Sequence, residues 1–302
     1  MGRPTEVRVR VPGSSANLGP GFDSLGLALS LYDEIEVSVD GHDDVHVEIA
    51  GEGAGQVPCD ESHLVVSTMR TTWALLGEEP PAGLRMRCRN AIPHSRGLGS
   101  SASAAVAGAV AAAVLAGRDL ALEQSALLQV TAGIEGHADN AAASLMGGFV
   151  VAWETAGNTA DRFHAIRLET HPDIHPVALV PQIESSTKTT RGLLPERVPL
   201  ADAAFTGSRT ALSVLAFTQQ PDLLLAATED RLHQGYRRPA YPESADLVDA
   251  LRARGVPATI SGAGPTVLAL TSDARIPDDV DLTGFATLVL PVDIEGAQVE
   301  IG

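Results

Sequence analysis

The sequence predicts an α+β protein of two domains, and three observations support that prediction. The chain has 302 residues, which exceeds the usual length of one domain and allows two domains that each bury a core. Apolar residues make up 44% of the chain and charged residues 20%, a balance that is typical of globular proteins. Strand-like and helix-like segments are mixed without the strict alternation of an all-parallel sheet, which favours α+β.

In the first half of the chain, period-two alternation predicts strands and helical spacing of apolar residues predicts helices. The opening strand has this pattern, because Val7, Val9 and Val11 alternate with Arg8 and Arg10. Further strands or short apolar runs are predicted at 28–31, 35–39, 45–49, 84–88 and 149–153. Helices are predicted at 63–76, within 97–117 and at 122–134, and glycine-rich loops at 12–26 and 41–62.

The second half repeats the mixture of strands and helices. Strands are predicted at 177–180, 258–260, 267–270 and 287–292, and helices at 201–218, 223–232 and 245–254. The polar segment 154–162 has the composition of a connection, which places the domain boundary near 155–172. We therefore assign residues 1–165 to the first domain and residues 166–302 to the second.

Composition and charge argue against several classes of protein. The 38 acidic and 21 basic side chains give a net charge of -17, which repels phosphate backbones and argues against nucleic-acid binding. The two cysteines, Cys59 and Cys88, are too few for a disulfide framework, and the start of the chain has no apolar leader, so we expect a cytoplasmic protein. The uncharged stretch 97–117 is mostly Ala, Gly and Ser, which suits a closely packed buried helix and not a membrane span.

The segment PHSRGLGSSA, residues 93–102, is the strongest chemical signal in the sequence. Glycines at the start of a helix let the backbone approach an anion, and the free N–H groups of the first turn bind phosphate. Ser100 and Ser101 add hydroxyl groups, and either serine is a candidate N-cap. A Walker loop is excluded because the only lysine of the chain is Lys188. The alternative is a plain helix cap that allows close packing.

The segment EGHADN, residues 135–140, places two carboxylates, an imidazole and an amide close together. Mg²⁺ takes oxygen ligands and shares them with nucleotide phosphates, so Glu135 and a serine hydroxyl are candidate ligands. The alternatives are a solvated helix end for Glu135 and a satisfied core histidine for His137.

Further motifs suit the recognition of a small polar molecule. In SSANLGPGFD, Asn17 and Asp23 offer an amide and a carboxylate, and Asp23 is a candidate partner for an ammonium group. SSTKTTR ends at Arg191 and YRR contains Arg237, and a guanidinium group binds a carboxylate through two hydrogen bonds. SGAGPT, with Gly262, is a glycine turn between apolar strands. Each of these segments taken alone is also compatible with an ordinary surface loop.

The order of these motifs resembles one family of enzymes. PGSSANLGPGFDSLGLAL, PHSRGLGSSA, EGHADN, SSTKTTR and SGAGPT together resemble the GHMP small-molecule kinases over about residues 7–270. The first and third motifs together are similar to those of the homoserine kinase branch. The resemblance implies a first domain like domain 2 of ribosomal protein S5, with a left-handed βαβ crossover, and a ferredoxin-like second domain.

The resemblance also implies a reaction and a set of site residues. The γ-phosphoryl group of ATP would pass to the hydroxyl of L-homoserine, giving O-phospho-L-homoserine and ADP in threonine biosynthesis. ATP would lie along the glycine loop, at Pro93, His94, Ser95, Arg96, Gly97, Leu98, Gly99, Ser100, Ser101, Ala102 and Ser103. Mg²⁺ would be held by Glu135 with Ser100 or Ser101. Homoserine would contact Asn17, Asp23, His137, Asn140, Thr187, Arg191, Arg237 and Gly262.

The catalytic groups that the resemblance implies are Glu135, Asp139 and Asn140. Asn140 would orient the hydroxyl group, and whether Asp139 acts as a base stays open. The resemblance is compatible with a homodimer.

Two kinds of alternative are retained. The first is another GHMP kinase, acting on mevalonate, shikimate or a sugar alcohol, although these would not need Asp23, Arg191 and Arg237 together. The second is a non-catalytic member that binds ligand, or an RNA-binding module on the same fold. Glu135 and the glycine loop argue against the non-catalytic member, and the net charge of -17 argues against RNA.

Overall fold

Two β-sheets with helices packed on them form the described part of the chain. A computed structural model describes residues 3–39, 41, 43–157 and 161–302; residues 158–160 of the predicted connection lie outside this part, as do 1–2, 40 and 42. The strands are β1 Glu6–Ala16, β2 Leu25–Ser38, β3 Val45–Gly51, β4 Leu84–Asn90, β5 Phe149–Glu154, β6 Phe163–Leu168, β7 His175–Pro181, β8 Ala258–Ile260, β9 Val267–Thr271, β10 Phe285–Val289 and β11 Gln298–Ile301. The α-helices are α1 Leu64–Leu76, α2 Ser100–Leu115, α3 Leu120–Glu135, α4 Asp139–Met146, α5 Thr187–Arg191, α6 Leu200–Thr218, α7 Leu224–Ala227, α8 Gln234–Arg237 and α9 Pro242–Ala253.

The first sheet takes its strands in the order β11-β1-β2-β4-β3, with β5 beside β2 and β6 beside β5. The long strand β2 pairs with two strands along the same edge: residues 25–27 pair with β5 and residues 34–38 pair with β4. β1 runs antiparallel to β2, whereas β3 and β4 are parallel and are joined through α1. From the end of β4 the chain passes directly into the glycine loop. The left-handed crossover stays a prediction.

The alanine-rich helix α2 is buried along its length, as the sequence predicts. After Ser101 every residue of α2 is buried except Ala104, which is half-buried. Small side chains let α1 come close: a Cβ at Gly108 would lie 2.5 Å from the carbonyl oxygen of Val65. This packing fixes the position of the N-terminus of α2, where the glycine loop ends. Among the described residues, no helix has both the length and the apolar character needed to cross a membrane.

The second sheet has the order β10-β7-β9-β8, with every neighbouring pair antiparallel. Its strands and α9 enclose one core around Tyr241 and Leu251. A further core joins both halves of the chain, since Leu27 and Phe149 of the first sheet belong to it together with Phe217 of α6. The rings of Phe149 and Phe217 stack with centroids 4.7 Å apart. This shared core, which also includes Leu98, therefore fixes the position of the glycine loop relative to the second half of the chain.

The last strand returns to the first sheet. β11 pairs antiparallel with β1, with Val7 opposite Ile301 and Arg10 opposite Gln298. The segment before it also touches the first sheet, through a bridge between Leu29 and Val292. The first sheet thus contains residues from both ends of the described chain. The division at 165/166 stays a prediction.

The two-domain α+β prediction is confirmed, but some of the predicted elements are wrong. β1 continues through Ala16 where a loop was expected, because residues 13–16 pair with β2 after an irregularity at Pro12. The helix expected at 223–232 stops at Ala227, since the Asp230 carboxylate accepts hydrogen bonds from the backbone N–H groups of residues 232, 233 and 234 and turns the chain. The elements without a predicted counterpart are α4, α5, α8, β6 and β11.

Candidate functional site

A cleft of about 680 Å³, open to solvent, lies where the N-terminus of α2 meets the loops before β2, after α3 and before β9. Eighteen predicted site residues line it: Asn17, Asp23, Pro93, Ser95, Arg96, Gly97, Leu98, Gly99, Ser100, Ser101, Glu135, His137, Asp139, Asn140, Thr187, Arg191, Arg237 and Gly262. His94, Ala102 and Ser103 are not on its lining. Ser103 is fully buried, and its N–H group donates to the carbonyl oxygen of Gly99.

Gly99 makes the backbone of the phosphate-loop candidate possible. It precedes α2 with φ 74°, and a Cβ there would lie 2.1 Å from Ser14 Oγ. Gly99 is itself the N-cap and no side chain caps the helix, so the expectation that Ser100 or Ser101 caps it is wrong. The helix therefore presents free backbone N–H groups to the cleft, which is the arrangement that binds phosphate.

The glycine loop is fastened to the second half of the chain. Arg96 donates through Nε to the carbonyl oxygen of Pro181 at 3.1 Å and through a terminal nitrogen to that of Gln182 at 2.6 Å. Ser261 Oγ donates to the carbonyl oxygen of Gly97 at 2.6 Å. Arg96 thus holds the loop by its hydrogen bonds, and the loop cannot open without breaking contacts between the two halves.

Glu135 and Ser101 form a pair of oxygen ligands beside the helix N-terminus. Ser101 Oγ donates to Glu135 Oε1 at 2.5 Å. The carboxylate is brought there because α3 ends at Glu135, where Gly136 takes a left-handed conformation with φ 80°. A carboxylate and a hydroxyl are ligands of the type that Mg²⁺ prefers. The pair therefore fits a magnesium ion shared with phosphate.

A second group with suitable atoms lies further along the cleft. Ligand atoms of Asp23, His137 and Asp139 all lie within 4.8 Å of one another. His137 Nδ1 lies 2.7 Å from Asp139 Oδ1, which also accepts from the backbone N–H of Asn140. Burial lowers the pKa of His137, but the hydrogen bond and charge of Asp139, with Asp23 adding to them, outweigh it and raise that pKa. Asp23 already pairs with Arg191 and Asp139 with His137, so this group suits Mg²⁺ less well than Glu135 and Ser101.

Asp23 and Arg191 form an ion pair at the acceptor end of the cleft. The two terminal guanidinium nitrogens lie 2.5 and 3.0 Å from the two carboxylate oxygens, and about a third of each side chain is exposed. Asn17 holds the loop in place: its Nδ2 donates to the carbonyl oxygen of Gly262 at 2.8 Å, and its Oδ1 accepts from the N–H of Asp23 at 3.0 Å. Asn17 thus contacts the backbone of both loops that border the cleft.

Arg237 is a buried cation that has no carboxylate partner within the part of the chain that the structure describes. Its side chain lines the cleft although the residue is only 2% exposed, and its Nε has no hydrogen-bond partner among the described residues. Burial lowers the pKa of this guanidinium below its ordinary value. The ring of Phe22 lies 5.2 Å from the guanidinium carbons of both Arg191 and Arg237. A buried unpaired charge is costly, so this site favours a bound anion.

A second, more apolar pocket of about 920 Å³ lies next to the glycine loop, and no sequence pattern predicts it. It shares Ser95, Ser100 and Ser101 with the cleft. Its other lining residues include Asp33, Ile35, Val57, Pro58, Ser62, His63, Val65, Asn90 and His94. They come from separate elements without common spacing, and His94 faces this pocket instead of the cleft. An apolar pocket with a few polar groups suits a flat ring.

Asp33 in this pocket makes a testable contribution to stability. Burial raises its pKa to about 6, against opposing hydrogen bonds from the backbone N–H groups of Ile92 and Ala91. The folded protein therefore binds a proton that the unfolded chain has released, and stability falls as the pH rises from about 4 to about 6. We expect Asp33→Asn, which keeps the acceptor oxygen, to stabilise the protein at pH 8 by on the order of 2–3 kcal/mol and hardly at all at pH 4.

Urea unfolding of both proteins at pH 4 and pH 8 tests this expectation, with the exposed Asp278→Asn as surface control. The quantity compared is the free energy of unfolding of Asp33→Asn minus that of the native protein. If this difference is no larger at pH 8 than at pH 4, the expectation is contradicted.

Comparison with known proteins gives the family. Residues 63–148 match the family model described as GHMP kinases N terminal domain, and residues 213–280 match GHMP kinases C terminal. The homoserine kinase of Streptomyces coelicolor is 52% identical, over 98% of this chain and 95% of its own. That of Rhodococcus erythropolis is 51% identical, over 97% and 95%.

Solved structures share the fold. The crystal structure of homoserine kinase from Cytophaga hutchinsonii matches with a TM-score of 0.83 at 24% identity, over 99% of each chain. Mevalonate kinase from Methanococcus jannaschii matches with a TM-score of 0.65 at 14% identity, over 94% of this chain and 98% of that one. Both family models and relatives that align over nearly the whole chain therefore agree with the motifs, and the chain belongs to the GHMP kinases, within the homoserine kinase family.

Proposed function

We propose that this chain transfers the γ-phosphoryl group of ATP to the hydroxyl of L-homoserine, giving O-phospho-L-homoserine and ADP. The homoserine kinases that match it over nearly their whole length support this activity. The observation that carries it is the buried, unpaired Arg237, which lies with Asp23 and Arg191 in the cleft that receives the N-terminus of α2. One cleft thus offers sites for phosphate, a carboxylate and an ammonium group.

The nucleotide spans the cleft and the apolar pocket. The kinase family implies the use of ATP, and the shared residues Ser95, Ser100 and Ser101 mark the place where the two cavities meet. The base lies in the apolar pocket between Ile35 and Val65, and the phosphates lie against the N-terminus of α2. Developing charge on the transferred group is met by backbone N–H groups that are already in position.

Glu135 and Ser101 are the residues that would hold Mg²⁺, with Ser100 next to them on the cleft. When bound, the ion neutralises charge on the phosphate oxygens. Glu135 is placed for this by the C-terminus of α3 and Ser101 by the first turn of α2. Both helix ends are anchored in the same core, which keeps the two oxygens together.

The acceptor is bound by its two charged groups. Its ammonium group pairs with Asp23 and its carboxylate with Arg191 and Arg237, so the existing Asp23–Arg191 pair is exchanged for two new ones. His137 lies against Asp139 and borders the same space, as do Thr187, Asn17 and Gly262. A zwitterion therefore offers Arg237 the carboxylate partner that no described residue supplies.

Asn140 orients the attacking hydroxyl. Its Oδ1 accepts from Ser14 Oγ at 3.0 Å, which directs the amide group and leaves its NH₂ available to the substrate. Asp139 is 1% exposed, and its Oδ1 holds both His137 and the backbone of Asn140. We therefore propose that Asp139 supports these two residues and does not act as the base. In the loose transition state of phosphoryl transfer, the hydroxyl proton can pass to the transferred group itself.

A panel assay tests the proposed function. ADP release is measured with L-homoserine, mevalonate, shikimate and L-serine as acceptors. We expect L-homoserine to be strongly preferred, because mevalonate and shikimate carry a carboxylate without an amino group and serine is one carbon shorter. Equal or faster turnover with mevalonate or shikimate would overturn the assignment in favour of another GHMP kinase. The homodimer and the cytoplasmic location stay predictions.

A further inference from the structure

His233 is a buried histidine that lies behind the cleft, at the start of α8, and is 1% exposed. Its Nε2 lies 2.7 Å from the carbonyl oxygen of Gly19 and 3.7 Å from Asp230 Oδ2. Both neighbours are acceptors, so Nε2 must carry the proton and donate it. The hydrogen-bond partners therefore fix the tautomer of this ring.

The other ring nitrogen of His233 is consequently an acceptor, and it faces Arg237. Nδ1 lies 3.4 Å from a terminal nitrogen of the Arg237 guanidinium, whose other nearby acceptor is the carbonyl oxygen of Gly262 at 3.5 Å. Burial lowers the pKa of His233, against the opposing charge of Asp230, which keeps Nδ1 free to accept. Among the described residues no carboxylate orients Arg237, so these two acceptors set its direction.

The same ring also contacts the loop that recognises the ammonium group. Gly19 belongs to the loop between β1 and β2 that carries Asp23. The ring of Phe22, from this loop, packs on His233 with centroids 5.1 Å apart and lies below the Arg237 guanidinium. His233 thus joins the Asp23 side of the acceptor site to the Arg237 side.

We propose that His233 is a positioning residue for acceptor specificity: its Nδ1 orients Arg237 toward the substrate carboxylate, while its Nε2–H ties that arginine to the loop of Asp23. This inference rests on the proposed function. The fixed separation of the Asp23 carboxylate and the Arg237 guanidinium selects acceptors that carry an ammonium and a carboxylate on one carbon. Selection comes from the loss of binding when either group of the substrate lacks its partner.

Two variants separate the two ring nitrogens. His233→Asn keeps an acceptor oxygen near the position of Nδ1, whereas His233→Gln keeps a donor near the position of Nε2 and removes the acceptor. We expect His233→Gln to raise KM for L-homoserine by roughly tenfold to a hundredfold, the effect of losing one hydrogen bond to a charged group, with a smaller change in kcat. His233→Asn should lie closer to the native protein.

Partial substrates show whether the effect concerns the carboxylate. Two competitive inhibitors are compared: 4-hydroxybutyrate, which has the carboxylate without the ammonium group, and 3-aminopropan-1-ol, which has the reverse. We expect His233→Gln to weaken inhibition by 4-hydroxybutyrate only, and His233→Asn to restore it. The exposed His46→Asn serves as control. Equal weakening of both inhibitors, or the same loss in both variants, would overturn the proposal.

The native protein gives a test that does not depend on the folding of a variant. Nitrogen NMR of protein labelled at histidine reports which ring nitrogen of His233 is protonated. We expect a proton on Nε2 and a bare Nδ1; a proton on Nδ1 would overturn the proposal. Failure of the proposed function is distinguished from this, because it would appear as absence of ADP release with L-homoserine from the native protein.

Discussion

Replacing Arg237 by Ala is expected to lower kcat/KM for L-homoserine by roughly 30-fold to several thousand-fold. The change leaves the substrate carboxylate without its buried partner, and the loss of one member of a desolvated charge pair is on the order of 2–5 kcal/mol. KM for ATP should hardly change, because the proposed phosphate site at the N-terminus of α2 is on the other side of the cleft. Steady-state kinetics with each substrate varied in turn measure both effects.

The methyl ester of L-homoserine makes this test specific. It lacks the carboxylate charge, so it should be a poor substrate of the native protein and lose little more in Arg237→Ala, and the four measurements form a cycle. Arg237→Met retains most of the side-chain volume and controls for packing. Arg238→Ala is the neighbouring control, since Arg238 is paired with Asp246 and Asp249 on the surface. Equal loss with acid and ester would mean that Arg237 supports the fold or the phosphates instead.

Glu135→Gln is expected to lower kcat by about 10²–10³-fold and to raise the Mg²⁺ concentration needed for half-maximal rate. Glutamine keeps the shape of the side chain and can still accept the hydrogen bond from Ser101, so the structure should be kept while the charge is lost. Titration of Mg²⁺ at saturating ATP and L-homoserine measures both quantities. Thermal unfolding shows whether the variant is folded.

Glu123→Gln, near the opposite end of the same helix, is the matched control for charge and helix position. An unchanged Mg²⁺ dependence in Glu135→Gln would remove Glu135 from the metal site. The group of Asp23, His137 and Asp139 would then become the candidate, because its ligand atoms already lie within 4.8 Å of one another.

Local patterns predict the elements that depend only on nearby residues. The alternation at 7–11 and the helical spacing at 63–76 correspond to β1 and α1, and the small residues of 97–117 to the buried helix α2. β11 is missed because it has four residues and owes its conformation to β1, at the other end of the chain. α4 is missed because its first turn lies inside the EGHADN motif, whose charged residues suggest a site and mask the helix.

Motifs predict which residues line the cleft but not how those residues pair. The sequence places Asp23 and Arg191 in one site, but it does not show that they bind each other in the free protein. That Arg237 Nε has no hydrogen-bond partner among the described residues is likewise a property of three-dimensional packing. The apolar pocket cannot be predicted from spacing, because Ile35 and Val65 come from a strand and a helix that meet only in the folded chain.

The pairing of β11 with β1 has a consequence for how the protein is made. Val7 leaves the ribosome early, whereas its partner Ile301 is added only after every other described strand and all the described helices have been synthesised. Until then one edge of β1 is unpaired, and an open strand edge is a place where another chain can bind. Contacts so distant along the chain also close slowly. Nascent chains stalled before residue 298 should therefore be more prone to aggregation than the released protein.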